Sequence, residues 1–361
     1  MGFINTSVLA GGGVLVGQAV FMEEDQPTDL SVYGKRYLQS GNIETDTNLF
    51  DTSIFTAKSL FNIVERFDGG NASSMIAFSG SLYISTGGNY GIADSPDGIT
   101  WTARGVPVTG TPAQYFVRWD NSEFLTGGQS SLVAVGDGVT WTESTVTSFA
   151  GQQVNDAAYG AGVWVVVGNN NNIATSANGT TWTGRTSAIS GNILSIAFSD
   201  SLGLFAIGTS TGLMATSPDG ITWTARASTH GTDDIYSIVW GNDKFVAVGD
   251  RYKISTSVDG INWVDTNQSP TSGLLRGLSF GGGTFICANG STNNFLVSND
   301  AVTWVEVDNG SGELAYSSLI NGSIVIVGTS GHKLLTSDLL NFAGSQTAHA
   351  ENGENQYIRI S

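Results

Sequence analysis

Ser217-Pro-Asp-Gly-Ile-Thr-Trp223 decides the fold, because the chain repeats it. The same pattern stands at Ser95-Pro-Asp-Gly-Ile-Thr-Trp101, Val135-Gly-Asp-Gly-Val-Thr-Trp141 and Ser176-Ala-Asn-Gly-Thr-Thr-Trp182. It returns at Ser257-Val-Asp-Gly-Ile-Asn-Trp263 and Ser298-Asn-Asp-Ala-Val-Thr-Trp304, and a copy one residue shorter is Ser337-Asp-Leu-Leu-Asn-Phe342. Successive tryptophans are 40, 41, 41, 40 and 41 residues apart, and Phe342 follows after 38. A fixed period of this size marks a repeat architecture.

Two further tracks run in phase with the tryptophans. One is an apolar run that usually ends in glycine: Tyr83 to Gly87, Phe124 to Gly128, Trp164 to Gly168, Leu204 to Gly208, Phe245 to Gly249, Phe285 to Asn289 and Ile324 to Gly328. The other is a large apolar residue just upstream: Phe78, Trp119, Tyr159, Phe198, Trp240, Phe280 and Leu319. Each copy reads as four short strands, for example over 193–200, Leu204 to Gly208, Leu213 to Ser217 and Ile221 to Ala225. Four strands in about 40 residues is the content of a propeller blade. The expected fold is therefore all-β: a seven-bladed β-propeller of four-stranded blades over residues 62–345, with an irregular N-terminal arm at 1–61 and a tail at 346–361.

The turn has a mechanical reading. An Asp or Asn side chain accepts hydrogen bonds from backbone N–H groups about two residues ahead, and the following glycine tolerates positive φ. The tryptophan then leaves on the last strand to wedge against a neighbouring sheet. Ala301 replaces the glycine in the sixth copy, so that turn is expected to be the most strained or of a different type.

Composition excludes several functions. In 361 residues, 14 Lys and Arg against 31 Asp and Glu give a net charge of −17, which opposes duplex nucleic-acid binding. No run of 18 apolar residues is present to span a membrane as a helix. Cys287 is the single cysteine, and His230, His332 and His349 are far apart in sequence, so no metal site and no cofactor is expected. No Gly-x-Ser-x-Gly elbow or Walker-type phosphate loop occurs. Asp233 and Asp234 are adjacent and read as pointing different ways in a loop, and Glu143, Glu306 and Glu313 are scattered, so the paired carboxylates of a glycosidase are not evident.

The Ser-x-Asp-Gly-x-Thr-Trp signature resembles the Asp-box repeat of sialidase-like propellers, also seen in photosystem assembly factors and phage virion proteins. It is a shortened variant, with one residue fewer between Asp and Gly. A sialidase needs an arginine triad. Arg104, Arg185 and Arg226 each stand three residues after their tryptophan, which marks one structural position on an outer strand instead of a convergent site.

The ends carry a second resemblance. Tyr33-Gly-Lys-Arg-Tyr-Leu-Gln-Ser-Gly-Asn-Ile-Glu-Thr-Asp-Thr47 is similar to the segment that precedes the propeller in tailed-phage structural proteins, with Gln39 in place of the usual Arg. Tyr357-Ile-Arg-Ile-Ser361 is similar to their C-terminal ending. The apolar stretch 8–21 has no basic residue before it, the first being Lys35, and reads as an arm that orders against a partner and not as a signal peptide.

This resemblance implies a phage virion protein without enzymatic activity: a tail fibre or tail-tip adhesin subunit, oligomeric in the particle. Its arm would attach to other virion proteins through Leu9, Val14, Val16, Phe21, Tyr33 and Tyr37. The loops between second and third strands and those between blades share one face, and Tyr90, Asp250, Arg251 and Arg276 are the expected contacts with a host-surface glycan or protein. A capsid or tail decoration protein and a sialidase-like hydrolase are the alternatives. Ring closure predicts that a strand from 55–67 or from 356–360 completes the last sheet, because an unpaired edge invites aggregation.

Overall fold

The turn of the repeat forms because one carboxylate answers several donors. The structure, a computed structural model, describes residues 62–336 outside the connections at 67–72, 88–90, 98–100, 106–107, 111–112, 267–272, 291–293, 309–313, 321–322 and 329–330, and describes the backbone alone at 62–66, 73–74, 294, 307–308 and 314–336. Asp219 Oδ1 accepts the N–H of Ile221 and of Thr222, both at 2.8 Å, and the Ser217 hydroxyl at 3.0 Å. Asp137, Asp259 and Asp300 repeat the two main-chain bonds, and Asn178 makes them with its amide oxygen to Thr180 (3.1 Å) and Thr181 (2.9 Å). Where a glycine follows, it has positive φ, +98° at Gly138 and +70° at Gly179, Gly220 and Gly260.

Ala301 takes the same turn, with φ +59° and its N–H on Ser298 Oγ at 2.9 Å. The expectation of a different turn type fails. Only the strain of a left-handed alanine remains, about 1 kcal/mol or more.

Between the turns the chain alternates into antiparallel strands. The first, β1 (Asn62–Arg66), stands apart in sequence from its sheet. The first blade is β2 (Ser73–Phe78), β3 (Tyr83–Gly87), β4 (Gly91–Ser95) and β5 (Thr102–Gly105). The second is β6 (Gln114–Asp120), β7 (Glu123–Gly128), β8 (Leu132–Gly136) and β9 (Trp141–Thr145). The third is β10 (Val154–Gly160), β11 (Val163–Gly168), β12 (Ile173–Ser176) and β13 (Thr183–Arg185). The fourth is β14 (Ile193–Ser199), β15 (Leu204–Thr209), β16 (Met214–Ser217) and β17 (Thr224–Arg226). The fifth is β18 (Ile235–Gly241), β19 (Lys244–Gly249), β20 (Ile254–Ser257) and β21 (Val264–Asp265). The sixth is β22 (Leu275–Gly281), β23 (Thr284–Asn289), β24 (Asn294–Ser298) and β25 (Val305–Asp308). Then follow β26 (Leu314–Ile320), β27 (Ser323–Gly328) and β28 (Gly331–Thr336).

The protein is an all-β propeller with four-stranded blades. Six blades are each made of four consecutive strands. The count of seven expected from the sequence rests on a sheet of another make, in which β26, β27 and β28 are completed by β1, with Asn62 opposite Thr336 and Arg66 opposite His332. The closing strand thus comes from the 55–67 segment. The arm residues Leu9, Val14, Val16, Phe21, Tyr33 and Tyr37, the tail 346–361 and the short copy Ser337 to Phe342 lie outside the described residues.

Two sequence expectations shift at the fourth strand. In the fourth blade it begins at Thr224, not Ile221, because the N–H groups of Ile221 and Thr222 are held by Asp219. The tryptophan therefore precedes the last strand, except at Trp141, which opens β9.

The three periodic tracks meet as rows of tilted and edge-on rings. Phe198 lies 4.5 Å from Phe205 and Phe205 lies 6.4 Å from Trp223, centroid to centroid, and Trp240, Phe245 and Trp263 repeat this at 4.8 and 6.3 Å. Each core cluster belongs to two adjacent blades: Val165 and Val167 of the third pack with Ile207, Phe205 and Trp223 of the fourth. The glycine turn reaches into this seam. A Cβ on Gly220 would sit 2.6 Å from Val165 Cγ2, and one on Gly260 2.8 Å from Leu204 Cδ2.

Every inner strand of a sheet carries a register shift near its start. Next to it, polar side chains bind across to the following blade. Asp156 Oδ2 accepts the Ile196 N–H at 3.1 Å and the Ser195 hydroxyl at 3.3 Å, and Ser195 Oγ accepts the Ile238 N–H at 2.9 Å. Arg118 joins the chain from the second blade, its Nη2 2.6 Å from Asp156 Oδ1.

Two predictions follow from the seam and the turn. Gly220→Ala should lower the unfolding free energy in urea by about 2 kcal/mol or more, since it adds left-handed strain to an overpacked contact. The N–H groups of Thr140, Thr222 and Asn262 hold the carboxyls of Asp137, Asp219 and Asp259 below their ordinary range. Groups with depressed folded pKa contribute stability above the unfolded value of about 3.9 and lose it as the pH falls below that. Converting the three to Asn, as nature has at Asn178, should flatten the fall of melting temperature below about pH 4.

Candidate functional site

Inner strands begin at one end of the propeller, and the second-to-third strand loops reach the same end. In the fifth blade Ile235, at the start of β18, pairs with Gly249 at the end of β19. The inter-blade loop before β18 and the loop after β19 are therefore neighbours, joined by the Asp250 N–H on the Asp234 carbonyl at 3.1 Å. This confirms in geometry that both loop sets share a face.

Three of the four expected contact residues lie in this region, and Tyr90 is outside the described residues. Arg251 and Tyr252 take positive φ, +57° and +58°, which turns the loop sharply. The Arg251 side chain is 75% exposed and its Nε lies 3.4 Å from Asp233 Oδ1. Lys253 Nζ lies 3.1 Å from Asp233 Oδ2 and donates to the His230 carbonyl at 2.8 Å. Asp250 forms an isolated bridge with Leu274, which brings the loop beside Arg276 on β22.

Arg276 covers the ring of Tyr236, its guanidinium carbon 4.6 Å from the centroid. Burial raises the pKa of the Asp234 carboxyl, and the charge of Asp250 adds to it, against the hydrogen bond from Tyr236 and the charge of Arg276. Asp233 and Asp234 do part ways: the first neutralises Arg251 and Lys253, and the second joins Tyr236, Asp250 and Arg276. The arrangement offers a stacking face, a guanidinium and two carboxylates within one surface patch. Such groups suit a polar, polyhydroxylated ligand.

Sequence reasoning weighs Asp234 only as a loop acid beside Asp233 and misses Tyr236, yet a signal for Tyr236 exists. Tyr236 stands four residues before Trp240, as Arg276 does before Phe280 and Tyr115 before Trp119. This position recurs at the mouth. Tyr115 accepts from Gln129 Nε2 at 3.0 Å and Gln153 Nε2 at 3.3 Å, and Asn155 Nδ2 donates to Asn169 Oδ1 at 3.0 Å. The mouth is thus amide-rich at the second to fourth blades and charged at the fifth and sixth.

The three repeated arginines lie elsewhere, on fourth strands. Arg104 pairs with Asp94, while Arg185 and Arg226 each donate Nε to a threonine of the third strand, at 2.9 and 2.8 Å. They do not converge.

Comparison with known proteins agrees with the class. Residues 109–232 match a family described as DUF6242 beta propeller domain. No curated protein matches the chain. Among solved structures it is similar to YCF48 bound to D1 peptide, at 16% identity over 77% of this chain and 96% of that one, with a TM-score of 0.61. It is similar also to a catalytically inactive virginiamycin B lyase from Staphylococcus aureus with Quinupristin, at 13% identity, 76% and 98% coverage and a TM-score of 0.68. The WD40 propeller domain of Doa1 matches at 11% identity, 76% and 95% coverage and 0.61. At these identities the likeness is one of fold, and propellers host many functions.

His230 lies beneath the Arg251 loop, 1% exposed. Burial, helped by the charge of Lys253, lowers its pKa to about 4. A histidine kept neutral in the fold contributes stability above its unfolded pKa of about 6.5, and that contribution is lost as the pH falls toward 4. Stability should drop by an amount on the order of 3 kcal/mol over that window. His230→Gln should remove this part of the decline when chemical unfolding is followed at pH 7, 5.5 and 4.5.

Proposed function

We propose that the protein is a non-catalytic recognition propeller of a tailed-phage particle, anchored by residues 1–61, with the Tyr236–Arg276 mouth contacting a host-surface glycan. The observation that carries the recognition role is the stacked Tyr236–Arg276 pair with Asp234 and Asp250 beside it at the charged side of the mouth. Aromatic and arginine side chains dominate binding energies at such surfaces, and many weak sites on one particle add up to useful avidity. The particle location rests on the resemblance of residues 33–47 and 357–361 to tailed-phage structural proteins.

Two finer points belong to this reading. The repeat is of Asp-box type; its support is the side-chain oxygen, a carboxylate at Asp137, Asp219, Asp259 and Asp300 and an amide at Asn178, that caps the described turns. The composite sheet counts as the seventh blade; its support is the pairing of β1 with β28 and the packing of β26 against both β22 and β2.

A second reading, a glycan hydrolase, is favoured by the raised pKa of Asp234 next to Asp250 and Tyr236. Release of reducing sugar from host cell walls by the purified protein, abolished by Asp234→Asn, would replace the adhesin reading with this one.

The first test is mass spectrometry of gradient-purified particles. The chain should co-sediment in fixed stoichiometry, and removal of residues 1–60 should stop its incorporation. A chain found only in the soluble fraction overturns the particle reading. Arg276→Ala should weaken binding of the propeller to host cells about tenfold, measured with labelled protein; unchanged binding removes this mouth from the contact.

A further inference from the structure

The opposite ends of the inner strands enclose a cavity that the proposed contact face does not use. β18 runs from Tyr236 near one mouth to Trp240 near the other, and its seven residues span about 20 Å. At the far end a cavity of about 430 Å³ opens on the axis, walled by five successive inner strands, β6, β10, β14, β18 and β22. The upstream aromatic track of the sequence comes together here: Trp119, Tyr159, Phe198, Trp240 and Phe280 all line it. Each ring is only half-buried. Packing of the blades does not consume these aromatic surfaces, and part of each is left facing the cavity.

The rings are set in place by the blade before them. Phe198 lies flat on Gly160, where a Cβ would come within 2.3 Å of the ring, and Phe280 lies flat on Gly241, where it would come within 2.2 Å. On the other side each ring meets, edge-on or tilted, a ring on the second strand of its own blade, as Trp240 meets Phe245 at 4.8 Å. Phe198 and Phe280 are thus held from both sides, and all five rings are braced by a ring of their own second strand.

The charge of the cavity is one-sided. Three charged side chains line it: Arg118, Asp120 and Asp200. Arg118 is already engaged, with Nη2 on Asp156 at 2.6 Å, Nε on the Ala157 carbonyl at 3.1 Å and Nη1 on Met75 Sδ at 3.0 Å. Asp120 and Asp200 are exposed at the rim, and no cation pairs with either among the described residues. Asp120 receives one hydrogen bond, from the Asn121 N–H at 2.8 Å. Partial burial and the charge of Asp200 raise its pKa, so the pair already repel each other and an incoming positive charge relieves both.

Aromatic faces attract a cation through the ring quadrupole when it lies within about 6 Å of the centroid. Rim carboxylates supply the opposite charge. We propose that this cavity binds an alkylammonium group, a protonated or quaternary amine on a short chain, between the ring faces of Trp119, Tyr159, Phe198, Trp240 and Phe280 and the carboxylates of Asp120 and Asp200. A neutral sugar would also stack on these rings and could donate its hydroxyls to the carboxylates, but it brings no positive charge to relieve their repulsion, and the one guanidinium on the wall is committed to Asp156.

Calorimetric titration of the full chain tests this with choline, cadaverine and lysine methyl ester as the amine probes. 3,3-Dimethylbutan-1-ol, which has the shape of choline without its charge, and methyl glucoside are the neutral probes. At least one amine should bind about tenfold more tightly than either neutral probe, and added salt should weaken it. The three amines separate a quaternary head group, a free diamine and a lysyl side chain as the source. Asp120→Asn and Asp200→Asn, both at exposed rim positions, should each weaken the amine about threefold or more, and Trp240→Leu about tenfold, with circular dichroism confirming the fold. Equal affinity for choline and its neutral isostere, preference for the glucoside, insensitivity of amine binding to the double Asp variant, or no amine binding at all would each overturn the assignment.

Discussion

A single carboxylate oxygen that accepts two successive backbone N–H groups sets the geometry on which the other contacts depend. Asp219 fixes Ile221 and Thr222, and by fixing them it forces Gly220 into a left-handed conformation with its α-carbon against Val165 of the preceding blade. The same turn delivers Trp223 into the seam between those blades. The hydrogen bonds are local, yet their effect is to place the largest ring of each repeat where two sheets meet. Asn178 performs this task without charge, and Ala301 without glycine. The turn therefore depends on a side-chain oxygen at one position and on room for the next residue, and less on either residue type.

The seam explains why aromatic rings are spaced as they are. A blade has two faces, and each must be covered by a neighbour, so the core is divided into clusters that each belong to two blades. Polar contacts follow the same rule. The irregular start of an inner strand is met by a side chain of the preceding blade, as Asp156 meets Ile196 and Ser195 meets Ile238. Neighbouring blades are thus locked at two radii, by hydrogen bonds near the axis and by rings further out. This leaves the two mouths free to differ: amides and charges at one, aromatic faces and carboxylates at the other.

Much of the architecture was legible because it repeats. Phe198, Leu204 and Trp223 announce their strands through copies of themselves, and the need to close an edge called for a strand from 55–67 or 356–360, between which only the pairing of Asn62–Arg66 with β28 decides. The start of the fourth strand was not legible, since the hydrogen bonds that delay it are made by the turn itself. The polar mouth was legible in part. Asp250, Arg251 and Arg276 stand out as charged residues in loops or at strand starts, whereas Tyr236 alternates along a strand like any half-buried residue, and only its register against Trp240 gives it away. The cavity was hidden for another reason. Its aromatic track reads as core, and nothing in a linear pattern tells a ring buried between sheets from one left facing the axis.

The pairing of β1 with β28 also has a consequence for how the chain is made. Asn62 leaves the ribosome long before Thr336, its partner, and every intervening blade can form and stack in order of synthesis while β1 waits. The strand made first is the one used last. A chain released early would lack β28 and leave β1 with no sheet to join, so the pairing distinguishes finished chains from unfinished ones. Closure is then a long-range step of folding, taken only after translation has passed residue 336, and it joins the first strand of the ring to the last.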